Sequence, residues 1–303
     1  MPIHLVQPSR HEVGSMTIAV SLKVHEGVVL ASDSASTLAQ VQPDGAMSVA
    51  NVYYNVDKIA NLVKGLPLGV MTWGAGSVGP ESISTLFKDL RQMLAGERAG
   101  PNGADWKVDP SDYEVADVAD RVREFIYQTK YSSVFGGNTQ VPDLGLVVAG
   151  YSTDGPHAEA YKIEMSGSGC PSPAQMWPGA ECGFFVGGQP AAVLRLVHGV
   201  DPRVANVLVD SLGVSPDRAG RAAKIIQEQL RAPLVQEPMP FKDALDLAEF
   251  FVDLTCRYTK FLPVGATTVG GPIEVAGITK HEGFKWIKRK HYYPTGLNPD
   301  GTS

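Results

Sequence analysis

A chain of 303 residues, 44% apolar and 19% charged, has the make-up of an ordinary folded protein that can bury a large core, which excludes a disordered segment. Its net charge of −6, with the basic residues scattered, excludes the concentrated basic face that grips nucleic acid. Three widely spaced cysteines (Cys170, Cys182, Cys256) give neither a disulfide framework nor a metal spacing, and the seven histidines form no HxH or HxxxH pair.

Residues 1–16 read as an N-terminal extension or propeptide without the apolar heart of a signal peptide. Nowhere does an apolar run approach the roughly 18 to 20 residues that span a bilayer, so a cytoplasmic protein is expected. Alternating patterns at Thr17–Lys23 and Gly27–Asp33 meet at "VHEG" as a hairpin. A looser Gln-, Asn- and Gly-rich segment leads to "NVYYNVDKIANLV" and "LPLGVMTWGAG", two further strand patterns that suggest an antiparallel sheet. Helical periodicity follows at Ile83, Leu86, Phe87, Leu90 and Leu94, and again at Val115, Val118, Ala119, Val122 and Ile126. The Gly/Pro/Asn-rich stretch from Gly96 to Asp109 between them reads as a loop.

In the second half "DLGLVVAGY", "HAEAYKIEM" and "CGFFVGG" read as strands. Helical patterns cover Pro190–Gly199, Arg203–Leu212, Ser215–Arg231 and Phe241–Tyr258. "GGPIEVAGITKHEGFKWIKR" closes the chain as a hairpin, and its basic run "KWIKRK" (Lys285–Lys290) reads as a solvated strand or tail. Strands and helices in these blocks, without a linker or repeat, describe one α+β domain.

"WGAGSVG" contains a literal GxGxxG at Gly74, Gly76 and Gly79. A dinucleotide site also needs a second parallel strand after the helix, ending in an acid for the ribose. Here the helix runs into the Gly/Pro loop and a second helix, so the glycines call for close backbone approach instead.

Thr17, Asp33, Lys58 and the Gly74 turn, in this order and spacing, resemble the β-type subunits of the proteasome family, which includes the bacterial HslV-type and Anbu proteins. "TIAVSLKVHEGVVLASDSAST" matches the family's opening hairpin, with the acid sixteen residues after the nucleophilic threonine. "VDKIANL" matches the strand with its lysine, and "GVMTWGAG" the strand and glycine turn beside it. "GPHAEAYKIEMSG" and "VGGPIEVAGITKHEG" look like its later sheet. The resemblance implies a four-layer αββα sandwich of N-terminal-nucleophile (Ntn) hydrolases, two antiparallel sheets between helical layers. Helices at 82–94 and 113–130 would cover one face, and 190–199 with 241–258 the other. The domain would span 17–290, with a helical insertion near 201–238 and a C-terminal tail at 291–303.

The same resemblance implies a threonine peptidase that hydrolyses peptide bonds without metal or cofactor. A threonine hydroxyl is a weak nucleophile unless a base is in reach, and its own α-amine, titrating near ~8, serves where the chain begins there. A lysine beside it eases deprotonation, and an acid paired with that lysine fixes it and balances its charge. Thr17, Lys58 and Asp33 would fill these roles, with the Gly74 N–H as oxyanion donor. Thr37 and Gly76 would align a peptide by strand-like hydrogen bonds. Two routes would free the Thr17 amine: autocatalytic cleavage after Met16, or translation starting at Met16 with the methionine then trimmed. Expected partners are further copies in a closed or open ring, peptide or unfolded protein as substrate, and an ATPase unfoldase, with no nucleic acid or membrane.

The chain also departs from the family. Gly187-Gly188-Gln189 stands where the family has a supporting serine, and "PVGATTVGG" offers only Thr267 or Thr268 where it has Asp and Ser. Two alternatives therefore stand beside the peptidase: a catalytically inactive ring-forming scaffold subunit, and an Ntn amidase acting on small amides.

Overall fold

The computed structural model describes residues 17–41, 47–136, 141–262 and 269–291. The extension at 1–16, the tail beyond 291, and Thr267 and Thr268 fall outside the described residues. In chain order the strands are β1 (Ile18–Val24), β2 (Gly27–Ser32), β3 (Ser36–Val41), β4 (Met47–Tyr53), β5 (Ile59–Asn61), β6 (Leu68–Gly74), β7 (Ser77–Val78) and β8 (Glu81–Ser82). Then come β9 (Leu144–Gly150), β10 (Glu159–Met165), β11 (Ala174–Gln175), β12 (Gly183–Gly188), β13 (Glu274–Thr279) and β14 (Gly283–Lys288). The helices are α1 (Ile83–Leu94), α2 (Val115–Arg123), α3 (Ser132–Phe135), α4 (Ala191–His198), α5 (Val204–Leu212), α6 (Pro216–Leu230) and α7 (Phe241–Thr259).

Two five-stranded antiparallel sheets form the centre. One runs β12-β1-β2-β13-β14, the other β11-β10-β9-β6-β5. Strand side chains alternate between faces, and here both faces are covered, so β1 and β2 are buried at every position. Ile18, Val20, Leu22 and Val24 of β1 pack with Phe251 and Val252 of α7 and Val193 and Val197 of α4. Ala19, Val28 and Leu30 point the other way, to Met71, Trp73 and Val147 of the second sheet. That sheet's outer face, with Leu68, Val70, Leu144, Leu146 and Val148, packs on α1 and α2 through Leu86, Leu90, Val118 and Val122. Three apolar seams between four layers make an αββα sandwich, the arrangement expected from the sequence.

The helical layer owes its order to local signals. Ser82 caps α1, its hydroxyl accepting the Thr85 N–H at 3.2 Å. The second periodic segment does not stay α-helical. After α2 the backbone widens into a π-helix over Glu124–Tyr131 before one last turn, α3, a slip that apolar spacing does not encode. Within 201–238 lie α5, with no buried residue, and α6, which buries only Ala219 and Ala223.

The first strands depart from the sequence reading. They do not share a sheet: β1 and β2 lie in one, β5 and β6 in the other. The Gln- and Asn-rich segment forms a two-stranded ribbon, β3 with β4, where only a looser stretch is expected. "NVYYNVDKIANLV" breaks after Tyr53, and pairing resumes only at Ile59. The break turns Lys58 into the interior.

Candidate active site

Asp33 follows β2 at the inner edge of the first sheet and is fully buried. A carboxylate in that position needs donors on every side, and it has them. Oδ1 accepts the Ile18 N–H at 3.1 Å and the Lys58 ammonium. Oδ2 accepts the Ala35 N–H at 3.1 Å and the Gly270 N–H at 3.0 Å. The acid therefore ties the first residue of β1, the loop after β2 and the loop before β13 to a single lysine.

Lys58 is buried, with Asp33 as its carboxylate partner. Burial pushes its ammonium below the ordinary lysine range, and Asp33 opposes that shift. Its carbonyl accepts the Thr72 N–H of β6 at 2.9 Å, while the Thr72 hydroxyl donates to the Gly145 carbonyl of β9 at 3.1 Å. The second sheet thus holds the lysine, and the first sheet holds the acid.

Thr17 immediately precedes β1 and is buried. Its Oγ1 accepts the Gly74 N–H at 3.3 Å. Thr17, Lys58, Thr72, Trp73, Gly74, Ala75 and Gly76 line one small cavity of about 10 Å³, roughly the room a water molecule needs. Five of the six residues singled out in the sequence thus come together in space: Thr17, Lys58, Gly74 and Gly76 on the cavity, and Asp33 on Lys58 behind it. Gly74 ends β6 with φ +91°, and a Cβ there would run into the Asp143 carbonyl. Only glycine can turn its N–H towards Thr17 at this point.

Gly76 lines the same cavity, and a Cβ on it would meet the Ser36 hydroxyl. Its carbonyl accepts the Ile83 N–H at 3.1 Å, so its position relative to α1 is fixed. Thr37 lies on the β3–β4 ribbon opposite Val52. Its side chain falls outside the described residues.

Several contributors were not legible in advance. Trp73 is one: its indole fills the space over Gly145 of β9 and Gly187 of β12, where a Cβ on either glycine would overlap the ring, and it packs on Phe185 at 5.1 Å. Gly188, at φ +87°, is another. A Cβ there would strike the Thr17 carbonyl, which accepts the Gln189 N–H at 2.8 Å. The Gly187-Gly188-Gln189 stretch, which departs from the proteasome pattern, here holds the main chain of Thr17. Glycines at strand positions were the available signal for both.

The third is Lys290. The sequence reading of "KWIKRK" as a solvated strand or tail fails at this residue. Lys290 is largely buried, its ammonium 2.7 Å from Glu274 Oε2 and 2.9 Å from both Ser34 Oγ and the Val56 carbonyl. Regular alternation would put Lys285 and Lys288 on opposite faces of β14, but the pairing with β13 slips by one residue at Ile287, so both face solvent. Past the strand end the chain carries Lys290 inward.

Chemically, the site offers a hydroxyl against a backbone N–H, with a buried ammonium lining the same cavity. Among the described residues no group of three or more His, Cys, Asp or Glu is placed to hold a metal, and no helix is long and apolar enough to cross a membrane.

No protein-family profile matches the sequence, and no curated protein matches it. Among solved structures the chain is similar to a Gly-1 mutant of Anbu from Hyphomicrobium sp. strain MC1, with 13% identity and a TM-score of 0.48. The alignment takes in 91% of this chain and 89% of that one.

Proposed function

We propose that the protein is a threonine-type Ntn hydrolase that cleaves peptide bonds with Thr17 as nucleophile. The observation that carries this reading is the convergence of the Thr17 hydroxyl, the Gly74 N–H and Lys58 on one cavity, with the buried Asp33 holding Lys58 from behind. In the proposed reaction the Thr17 α-amine takes the proton from its own hydroxyl as Oγ1 attacks the substrate carbonyl. Lys58 lowers the cost of the alkoxide, Asp33 holds Lys58 and the Ile18 N–H in register, and the Gly74 N–H receives the oxyanion. The tetrahedral adduct then collapses by breaking its C–N bond, and the departing amine takes the proton held by the Thr17 ammonium. A water that gives its proton to the freed α-amine hydrolyses the acyl ester, releasing the acid and returning the proton to Oγ1. Gly76, on the bend between β6 and β7, and Thr37 are proposed to pair with the substrate backbone.

The amine acts only when it is free. In the sequence as it stands Thr17 is joined to Met16, and an amide nitrogen is no base. The active species should therefore begin at Thr17. Intact-mass spectrometry of the protein from its native host should show that start, and an epoxyketone or β-lactone should add one ligand mass per chain, mapped to Thr17. Thr17→Ala should abolish the addition. A native protein that keeps residues 1–16 and takes up no electrophile would overturn the enzyme reading and leave a ring-forming scaffold in its place. Hydrolysis of small amides with peptides untouched would point instead to the amidase.

Self-association into a closed or open ring is proposed from the same resemblance, which also makes an ATPase unfoldase a candidate partner. Light scattering at micromolar concentration should give a mass several times that of one chain. A monomer there removes the ring and its chamber.

A further inference from the structure

The Asp33–Lys58 pair is not an isolated ion pair. A second buried pair, Glu274–Lys290, lies against it, and the two share a stretch of backbone. Ser34, the residue after Asp33, donates its hydroxyl to the Pro272 carbonyl at 2.7 Å and accepts from the Lys290 ammonium. The Ser34 N–H reaches the Gly270 carbonyl at 3.0 Å, and the Ser34 carbonyl accepts the Val56 N–H at 3.0 Å. Val56, two residues before Lys58, gives its own carbonyl to Lys290. One ammonium thus closes a ring of contacts through the segment that carries the acid, the segment that carries the lysine, and the loop whose Gly270 N–H binds the acid.

We infer that Lys290 is a positioning residue of the candidate site: by clamping Ser34, Val56 and Glu274 it fixes Asp33 and Lys58 relative to each other. The catalytic part of this inference rests on the reading of Thr17 as nucleophile. The clamp itself does not.

The electrostatics follow from the neighbours. The titratable groups facing Lys58 are Asp33, Lys290 and the Cys256 thiol of α7, joined by the Thr17 amine in a chain that begins there. Burial, then the Asp33 charge, pushes the Cys256 thiol up to about 12, so it stays neutral. Lys290 adds a like charge and depresses Lys58 beyond what burial does. Glu274 and Asp57, the latter 3.2 Å from the Lys290 ammonium, face Lys290 rather than Lys58. Burial raises Glu274, and Lys290 opposes that rise, so an electroneutral pair is kept inside.

Removing Lys290 therefore has a defined sign. Without the neighbouring positive charge, Lys58 holds its proton to higher pH. If a charged Lys58 assists Thr17, the alkaline limb of the reaction, where Lys58 discharges, moves upward too. Loss of the clamp separately slows the reaction by about 10- to 100-fold, the scale of a small misplacement of reacting groups.

The test uses the full chain, processed as in its host. A pH titration of the Lys58 side-chain carbon by lysine-selective NMR, assigned with Lys58→Arg, should give a higher midpoint in Lys290→Met than in the parent. The rate of β-lactone addition against pH should show the same upward move of its alkaline limb together with the fall in rate. Ser34→Ala, which loosens the clamp but keeps both charges, should slow addition and leave the limb in place. If Lys290→Met does not fold, the double substitution Glu274→Gln/Lys290→Met removes both buried charges together, and its limb should still move upward. An unmoved Lys58 midpoint in both variants would overturn the inference and leave Lys290 a structural tie. A parent that takes up no electrophile sinks the nucleophile reading alone, because the NMR midpoint still decides what Lys290 does to Lys58.

Discussion

Replacing Lys58 with methionine should cost about 3 kcal/mol of stability, because it leaves the Asp33 carboxylate buried without its cation. The figure stands at the lower end of the usual range for a broken buried pair. Three backbone N–H groups, from Ile18, Ala35 and Gly270, still reach the acid. Electrophile addition to Thr17 should fall at least about 10³-fold, the scale lost when one member of a nucleophilic unit is removed. Asp33→Asn is the paired measurement and should not be silent either. Each carboxylate oxygen accepts a backbone N–H, so in either orientation the new NH2 group faces another donor. Urea unfolding at neutral pH reads the stability, and labelling reads the reaction. A Lys58→Met protein within 1 kcal/mol of the parent that labels at the parent's rate would remove the pair from the proposed mechanism.

The pH dependence of folding carries the same signature. Lys58 titrates lower in the folded chain than in the unfolded one, so between those two points the unfolded state binds more protons. Stability gained from this group therefore rises with pH across that window, up to the ordinary lysine value near 10.5. Lys58→Met should flatten that rise.

Gly74→Ala should give the second large effect, and here geometry decides. At φ +91° an alanine is strained whatever the space, and its Cβ would also run into the Asp143 carbonyl. The turn must shift, taking its N–H off the Thr17 hydroxyl. Loss of one oxyanion donor commonly costs about 10²- to 10³-fold in turnover, and that is the expected fall. Gly65→Ala separates strain from displacement. It has φ +83° but open space around a Cβ, and it lies on the turn before β6, away from Thr17. It should lose about 1 kcal/mol and keep the parent's rate. Equal rate losses in both variants would mean that the Gly74 amide has no special part.

What the sequence disclosed depended on how local each signal was. Thr17, Asp33, Lys58 and Gly74 sit on or beside alternating strands, and it was the resemblance of their order and spacing to the proteasome β-type pattern that brought them together. The helices at Ser82–Leu94 and Phe241–Tyr258 announced themselves by apolar spacing, since each packs one stripe on a sheet. Lys290 gave no such signal. Its burial depends on Glu274, sixteen residues earlier, and on Ser34 at the far end of the chain, and neither contact leaves a mark in "KWIKRK". The β3–β4 ribbon was equally hidden, because Gln, Asn and Gly read as loop. The π-helical stretch escaped because Phe125, Ile126 and Tyr131 are buried by packing that overrides the ideal turn.

The seat of Trp73 has a mechanical consequence. Its ring bears on Gly145 in one sheet and Gly187 in the other, like a dowel set through two boards, and the next residue along is Gly74. Sliding one sheet over the other would lever that ring and swing the Gly74 amide with it. Gly187 is also two residues from Gln189, whose N–H holds the Thr17 carbonyl, so the same movement would pull at both halves of the N–H to hydroxyl contact. The alignment of the two sheets and the aim of the site are thus a single adjustment, and a substitution that reseats the indole resets both.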